Sequence, residues 1–365
     1  MQVDVICEAA PEAADAIRRS WDAARPVLVL DPAAPAAERE RLLARMGPDE
    51  EVTPEVAAVV VTSGTTGEPR GVELTWDGLM SSAVAVTVAL EVGPGDTWLC
   101  CIPVHRVAGL AIVARSWALG TPVEVLPGFD VDAVARSEAS LVSLVPVMAR
   151  RLLDAGVDLT LSFRRVLLGG GPIPADLPGV RGYGLTETWG GVVYDGVPLA
   201  GVDVRLGDDD EILVHGSMVM KGYRLAPEDT DAAFADHRFL RTGDVGAFDA
   251  DGRLRVIDRL RDLVITGGVN VSPTEVEMVL ATHPEVADVA VAGRPDPEWG
   301  ERVVAYVVPI DPSKPLTLDD LREFARDQLS AAKLPRQVVV IDSVPRTDGA
   351  KPLRRLLRGI PTAPA

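Results

Sequence analysis

The sequence predicts an α/β fold in which a large N-terminal domain of layered α/β sheets carries a β subdomain and is followed by a small α+β domain. Three observations carry that prediction. Apolar runs of strand length alternate with helical patterns through the first half of the chain, which argues for largely parallel sheets with helices on their faces. Short alternating runs separated by Asp and Gly turns fill residues 202–258, a signature of antiparallel β structure. Near the C-terminus, Ser272-Pro-Thr-Glu275 combines a capping box with proline at the first helical position and opens a compact helix–strand pattern. The boundary is placed near residue 260, giving domains of residues 1–259 and 260–365.

Taken in order, residues 26–31, 57–62, 97–102 and 122–126 are apolar, bounded by Gly, Pro and Asp, and read as buried strands. Residues 76–90 place Leu79, Ala83, Val86 and Leu90 three to four apart, one face of a helix for which Thr75 is the expected N-cap. In the β subdomain, residues 202–206, 211–215 and 253–257 alternate. Beyond the boundary come a helix over 272–282, strands near 286–292 and 302–309, a helix over 318–329 and a strand over 337–342.

Composition narrows the functional class. Lys and Arg number 36 against 54 Asp and Glu, a net charge of −18 with no basic run, which disfavours nucleic acid and anionic membranes as partners. Cys7, Cys100 and Cys101 form neither a disulfide framework nor a zinc motif, and a reducing cytoplasm is the expected location. Residues 1–11 carry Asp4 and Glu8 and no basic residue, unlike a signal peptide, and the apolar stretch 107–119 is short for a membrane span and contains Arg115. A homodimer is left open. Only four of the 36 cations are lysines (Lys221, Lys314, Lys333 and Lys351), so a retained lysine invites a functional reading.

The strongest local signal is Thr62-Ser-Gly-Thr-Thr-Gly-Glu-Pro-Arg-Gly71, directly after a strand. Glycines let backbone N–H groups approach an anion, the hydroxyls of Thr62, Ser63, Thr65 and Thr66 donate to phosphate oxygens, and Arg70 supplies charge beside Gly64 and Gly67. The spacing is not that of a Walker A loop. This segment resembles the phosphate-binding loop of the adenylate-forming acyl-CoA synthetases. Other segments match that family in the same order: Gly182-Tyr-Gly-Leu-Thr-Glu-Thr188, Thr242-Gly-Asp244, residues 259–277 including Ile265-Thr-Gly-Gly-Val-Asn270, and Pro345-Arg-Thr-Asp-Gly-Ala-Lys351. Leu167-Leu-Gly-Gly-Gly-Pro-Ile173 and Met218–Arg224 are also similar to family segments. Arg70 stands where lysine is usual, Ala350 where glycine is usual, and the loop starts earlier than in most members, which implies a shortened N-terminal part.

The resemblance implies the family's fold, with a mobile C-terminal domain, and a two-step reaction. A carboxylate attacks the α-phosphate of Mg²⁺-bound ATP to give an acyl-adenylate and diphosphate; a thiol, here coenzyme A, then displaces AMP. Thr186 and Glu187 follow a strand and a Gly-Tyr-Gly turn, and a hydroxyl beside a carboxylate suits Mg²⁺. Tyr183 and Gly184, with Gly170 and Gly171, are expected along the adenine, and Asp244, with Arg259, at the ribose. Lys351 is the expected catalytic cation of adenylation, Arg261 and Asp262 the hinge, and Gly267 and Gly268 the face that lines the thiol path.

For the acid, residues 105–116 and 183–199 look like the short bacterial o-succinylbenzoate–CoA ligases of menaquinone biosynthesis. That acid is a dianion, with one carboxylate to activate and one to hold. His105, Arg106 and Arg115 are the expected polar contacts, a guanidinium being able to take a carboxylate bidentately. Trp189, Gly190 and Gly191 are expected to shape an aromatic slot. The alternatives are another aryl- or acyl-CoA ligase, or an amino-acid adenylation domain loading a carrier protein. The latter would call for an acidic residue near 104–106 to hold the amine, and none is there.

Overall fold

The computed structural model describes residues 1–63, 68–314, 316–346 and 352–360, with Ser63 described by its backbone alone. The expectations for the Ser63 side chain, Gly64, Thr65, Thr66, Gly67 and Lys351 lie outside the described residues. The chain divides into two compact units. The first is Met1–Arg205 with Leu213–Thr242 and Ala250–Leu254; the second is Leu206–Ile212 and Gly243–Asp249 with Arg255–Ala365.

The first unit holds two sheets. One orders Asp4–Ile6, Val27–Val29, Val56–Ser63, Pro69–Thr75 and Gly222–Tyr223. Its first three strands are parallel and its last two are added antiparallel. Thr62 lies opposite Arg70 in the pair formed by Val56–Ser63 and Pro69–Thr75. The strand Pro69–Thr75, which the sequence reading did not contain, takes in the last residues of the phosphate-loop segment and runs on to the helix Trp76–Ala89.

The other sheet orders Val197–Pro198, Gly190–Tyr194, Val180–Leu185, Arg165–Leu168, Leu141–Leu144, Trp98–Cys100 and Val123–Val125. From Val180–Leu185 to Val123–Val125 every pair is parallel, as apolar runs joined by helices require. Trp98–Cys100 and Leu141–Leu144 are buried at every position. Asp96, just before the first of these, is itself buried. It accepts from the Gly93 N–H (2.8 Å), the Ser140 hydroxyl (2.7 Å) and Arg164 Nε (2.9 Å).

The helix Trp76–Ala89 forms as its spacing predicts: Thr75 Oγ1 accepts the Gly78 N–H at 3.0 Å, and Leu79, Ala83 and Val86 are buried. The apolar stretch 107–119 is the helix Val107–Leu119, buried from Gly109 to Ser116 and ended by Gly120 at φ +71°. Gly109 is required there, since a Cβ would lie 2.4 Å from the Pro103 carbonyl oxygen. Among the described residues no helix is long and apolar enough to cross a membrane.

A further sheet orders Val202–Leu206, Glu211–Gly216, Phe239–Phe248 and Phe234–Ala235, with Leu254–Arg259 pairing to Phe239–Phe248. These are the alternating runs of residues 202–258.

In the second unit the sheet order is Val269–Val271, Val264–Thr266, Gly300–Pro309 and Val286–Asp296, with Gln337–Val340 parallel to Gly300–Pro309. The helix Pro273–Leu280 starts as expected, with Ser272 Oγ accepting the Glu275 N–H at 3.1 Å, but ends two residues before Thr282. The capping box is half made, because the Glu275 carboxylate pairs with Lys333 Nζ at 2.7 Å. The next helix, Leu318–Ala325, stops short of residue 329, where Leu329 still packs into the core with Leu321 and Ala325.

Candidate active site

Within the first unit, the candidate residues gather at the end of the strand Val180–Leu185. Here the sequence reading needs correction: Gly182, Tyr183 and Gly184 are the strand itself and not a turn before Thr186. The reason is tertiary. Gly184 pairs with Gly191 across the sheet, and a Cβ on Gly184 would lie 1.8 Å from the Gly190 carbonyl oxygen. Only glycine allows that approach.

The chain then makes a single 3-10 turn, Thr186–Thr188. Thr188 Oγ1 accepts the Leu185 N–H at 3.0 Å and donates to the Gly190 carbonyl at 2.7 Å. Trp189 follows at φ +54°, fully buried, its indole N–H donating to the Thr75 carbonyl at 3.1 Å. The ring expected to shape an aromatic slot thus pins this turn to the start of the helix Trp76–Ala89.

The turn leaves Glu187 half-buried. Its backbone carbonyl accepts the Met220 N–H at 2.7 Å, and its carboxylate Oε1 accepts the Tyr223 hydroxyl at 2.9 Å. Burial, then the neighbouring Glu187 carboxylate, push the Tyr223 phenol well above its usual pKa, so it stays a protonated donor. Arg70 lies with its guanidinium 5.0 Å over the Tyr223 ring and its Nε 3.0 Å from Asp229 Oδ2. Arg70, Tyr223 and Glu187 therefore form one continuous contact, and the half-buried Thr186 hydroxyl stands next to it in the chain.

The donors at this turn are oxygens, the kind Mg²⁺ takes. Tyr223 occupies Oε1 of Glu187, and the other oxygen makes no hydrogen bond among the described residues. Among those residues no cluster of three or more His, Cys, Asp or Glu could hold a metal unaided. Such a donor set fits an ion bound through one carboxylate and the phosphates of a nucleotide.

Gly170 and Gly171 follow the strand Arg165–Leu168, with Gly170 at φ +83°. The substrate candidates separate. His105 is half-buried, 3.8 Å from Asp31, and burial lowers its pKa against the pull of that carboxylate. Arg106 is exposed at the N-cap of the helix Val107–Leu119. Arg115 lies on the same helix about 14 Å further along its axis. It is 4% exposed, stacked 4.7 Å from the Trp98 ring, and its Nε makes no hydrogen bond among the described residues. Burial lowers the pKa of this guanidinium, against the smaller opposing influence of Tyr194 and Cys100. Tyr194 in turn rests on Gly191, where a Cβ would lie 2.4 Å from the Tyr194 ring. At Gly190, φ +92°, a Cβ would lie 4.0 Å from the Ala111 side chain.

In the second unit, Asp244 is buried and pairs through Oδ1 with Arg259 Nε at 2.7 Å, bringing together the two residues expected at the ribose. Asp258, missed in the sequence, accepts from the Ser272 hydroxyl (2.7 Å) and the Thr274 N–H (2.9 Å), and so caps the helix Pro273–Leu280. Arg261 is exposed and Asp262 half-buried on the 3-10 turn Leu260–Asp262. Arg354, also missed, holds both oxygens of Glu277 at 2.8 and 3.0 Å, donates from Nε to the Val291 carbonyl at 3.0 Å, and reaches Asp262 at 3.8 Å. Gly267 and Gly268 form an exposed two-residue hairpin turn, φ +58° and +78°, as a type I′ turn requires.

The signal for Tyr223 lies in the similarity of Met218–Arg224 to a family segment, but its role is not readable from the sequence. For Asp258 and Arg354 no local signal existed.

The family model of the AMP-binding enzyme matches residues 3–224, and that of the AMP-binding enzyme C-terminal domain matches residues 275–351. The chain is 39% identical over 353 residues to a protein of Mycobacterium tuberculosis named as a probable 2-succinylbenzoate–CoA ligase, covering 91% of this chain and 90% of that protein. It is 34% identical over 328 residues to the 2-succinylbenzoate–CoA ligase of Listeria monocytogenes, covering 83% of this chain and 69% of that one. Among solved structures, the o-succinylbenzoate CoA synthetase of Bacillus subtilis in complex with its acyl-adenylate intermediate superposes with a TM-score of 0.88. The identity there is 27%, and the match covers 100% of this chain and 89% of the other. The same Bacillus enzyme with ATP and magnesium ion gives a TM-score of 0.86 at 29% identity, covering 98% and 89%. With a family model matched over more than half its length and relatives of this identity and coverage, the chain belongs to the AMP-binding enzyme family.

Proposed function

We propose that this chain is an AMP-forming carboxylate–CoA ligase that converts o-succinylbenzoate, ATP and CoA to o-succinylbenzoyl-CoA, AMP and diphosphate, in the cytoplasm, as a step of menaquinone biosynthesis. The observation that carries the reading is the likeness, along the whole chain, to the Bacillus enzyme that holds the acyl-adenylate.

In the first step a carboxylate oxygen of the acid attacks the α-phosphorus of ATP. The bond to the bridging oxygen breaks, and diphosphate leaves with its electron pair. Mg²⁺, when bound, offsets the negative charge of the phosphates. Thr62, Ser63, Gly64, Thr65, Thr66, Gly67 and Arg70 bind the phosphates, Thr186 and Glu187 orient the metal, and Lys351 stabilises charge at the α-phosphate. Tyr183 and Gly184, with Gly170 and Gly171, flank the adenine, and Asp244, oriented by Arg259, accepts the ribose hydroxyls. The thiol of CoA then attacks the acyl carbon, AMP leaves, and the thiol proton passes to solvent. The C-terminal domain, residues 260–365, swings about Arg261 and Asp262 between the steps and brings Gly267 and Gly268 to the thiol path.

Of the two arginines considered for the second carboxylate, Arg115 is favoured. A buried guanidinium paired with no carboxylate among the described residues is costly unless a ligand repays it. Arg106 is already solvated.

The test is diphosphate release over a panel of carboxylic acids, with and without CoA. We expect o-succinylbenzoate to give the highest rate. Arg115→Met should lower kcat/KM for it by roughly ten- to hundred-fold, the cost of about 1.5–3 kcal/mol for a charge-assisted pair, while sparing monocarboxylic acids. Preference for benzoate or a fatty acid would overturn the assignment.

A further inference from the structure

We propose that Tyr223 is a positioning residue for adenylation: its hydroxyl fixes one oxygen of Glu187 and so presents the other to the metal of the nucleotide. The inference rests on the reading of Glu187 as the metal-facing carboxylate.

Two bonds tie the segment Met218–Arg224 to the turn that bears Glu187. The Met220 N–H donates to the Glu187 carbonyl at 2.7 Å, and the Tyr223 hydroxyl donates to Glu187 Oε1 at 2.9 Å. The first fixes the backbone and the second the side chain, so the carboxylate cannot rotate without breaking the phenol bond. Tyr223 is itself held on several sides. It pairs with Val72 in the strand Gly222–Tyr223, its N–H donates to Thr230 Oγ1 at 2.8 Å, and Arg70 lies 5.0 Å over its ring. A side chain at Gly222 would displace Thr230, because a Cβ there would meet Thr230 Cγ2 at 2.7 Å. Arg224, next in the chain, is buried and donates to the carbonyls of Met46, Gly47 and Glu50 at 2.5–2.6 Å. The phenol is thus delivered from a rigid base. A carboxylate with one oxygen hydrogen-bonded and the other available is how outer-layer partners orient metal ligands, and their loss typically costs ten- to hundred-fold in metal affinity or activity.

The arrangement also separates two functions on one side chain. The ring carries packing and lies under the Arg70 guanidinium, whereas the hydroxyl reaches Glu187 and also faces Arg70. Tyr223→Phe keeps the ring and removes the hydroxyl's contacts, and Arg70 stays paired with Asp229 at 3.0 Å.

The test is Mn²⁺ binding, followed by electron paramagnetic resonance, to the full chain saturated with α,β-methylene-ATP. Wild type, Tyr223→Phe and Glu187→Gln are compared, with melting temperatures and metal-free nucleotide affinity measured on each. We expect Tyr223→Phe to weaken Mn²⁺ binding roughly ten-fold. Its melting temperature and metal-free nucleotide affinity should stay at wild-type values, and the Mg²⁺ concentration needed for half-maximal diphosphate release should rise in parallel. If Glu187→Gln weakens Mn²⁺ binding and Tyr223→Phe does not, the positioning role is overturned alone. If neither weakens it, the metal reading of Glu187 falls and the inference with it. Weakening of Mn²⁺ and metal-free nucleotide alike, together with a lower melting temperature, would mean a general loosening and would also overturn it.

Discussion

Two carboxylate–cation groups, one in each unit, use similar side chains to opposite ends. In the first unit Glu187 is half-buried and its carboxylate accepts one hydrogen bond among the described residues, from a neutral phenol, while Arg70, stacked over that phenol, is turned to Asp229. In the second unit Glu277 is gripped at both oxygens by Arg354 and also accepts the Val291 N–H at 2.7 Å. Arg354 is only 10% exposed and serves Glu277, Val291 and Asp262 together. A buried ion pair with its acceptors filled holds structure, whereas a carboxylate left with an unfilled oxygen keeps its charge for a ligand. The difference teaches where to look for rate effects and where for stability effects.

The sharpest way to break that division is Lys351. If it acts only in adenylation, Lys351→Ala should slow diphosphate formation by on the order of 10²–10³, the usual cost of one charge aimed at a transition state. Conversion of pre-made acyl-adenylate and CoA to the thioester should stay near normal. Rapid-quench measurement of each half-reaction decides, and equal damage to both steps would remove the alternating-domain reading.

Arg354→Met should instead act on stability. Stranding the buried Glu277 carboxylate should cost about 3 kcal/mol, measured by urea unfolding, and adding Glu277→Met should restore most of it, since an apolar pair can replace a buried ion pair. If the double variant is as unstable as the single one, Arg354 owes its effect to Asp262 or Val291 and not to Glu277.

The smallest effect is expected at Asp96, a saturated carboxylate in the first unit. The Arg164 guanidinium bonded to it holds its carboxyl far below the ordinary range, against the cost of burial. A depressed carboxylate stabilises the fold fully above its unfolded pKa of about 3.9 and loses that contribution as pH falls below it. Asp96→Asn should therefore cost about 2 kcal/mol at neutral pH, Arg164 being partly exposed, and the gap from wild type should narrow as pH falls from about 4. A gap unchanged with pH would show that shape and not charge matters there.

How much of this was legible in the sequence follows the range of the interactions. The helix Trp76–Ala89, with Thr75 as its cap, and the helix opened by Ser272 were readable because capping and periodicity act within a few residues. The strand Gly222–Tyr223 was not readable: two residues have no period, and they are a strand only because Pro69–Thr75 lies beside them. Gly182-Tyr-Gly184 read as a turn because glycine favours turns locally, and it is extended because Gly190 and Gly191 approach its backbone from across the sheet.

The sequence by itself determined the alternation of strands and helices, the order of the glycine-, hydroxyl- and carboxylate-bearing segments, and the exclusion of a strongly basic surface. It did so because composition, spacing and capping are properties of neighbours along the chain. Only the tertiary structure decided which oxygen of Glu187 is taken, that Tyr223 takes it from 36 positions away, that Trp189 is a buried pin, and that Arg354 joins Glu277 from 77 positions away. A hydrogen bond needs its partners within about 3 Å and in line. Over such separations only the packing of whole sheets and helices can bring two side chains to that distance.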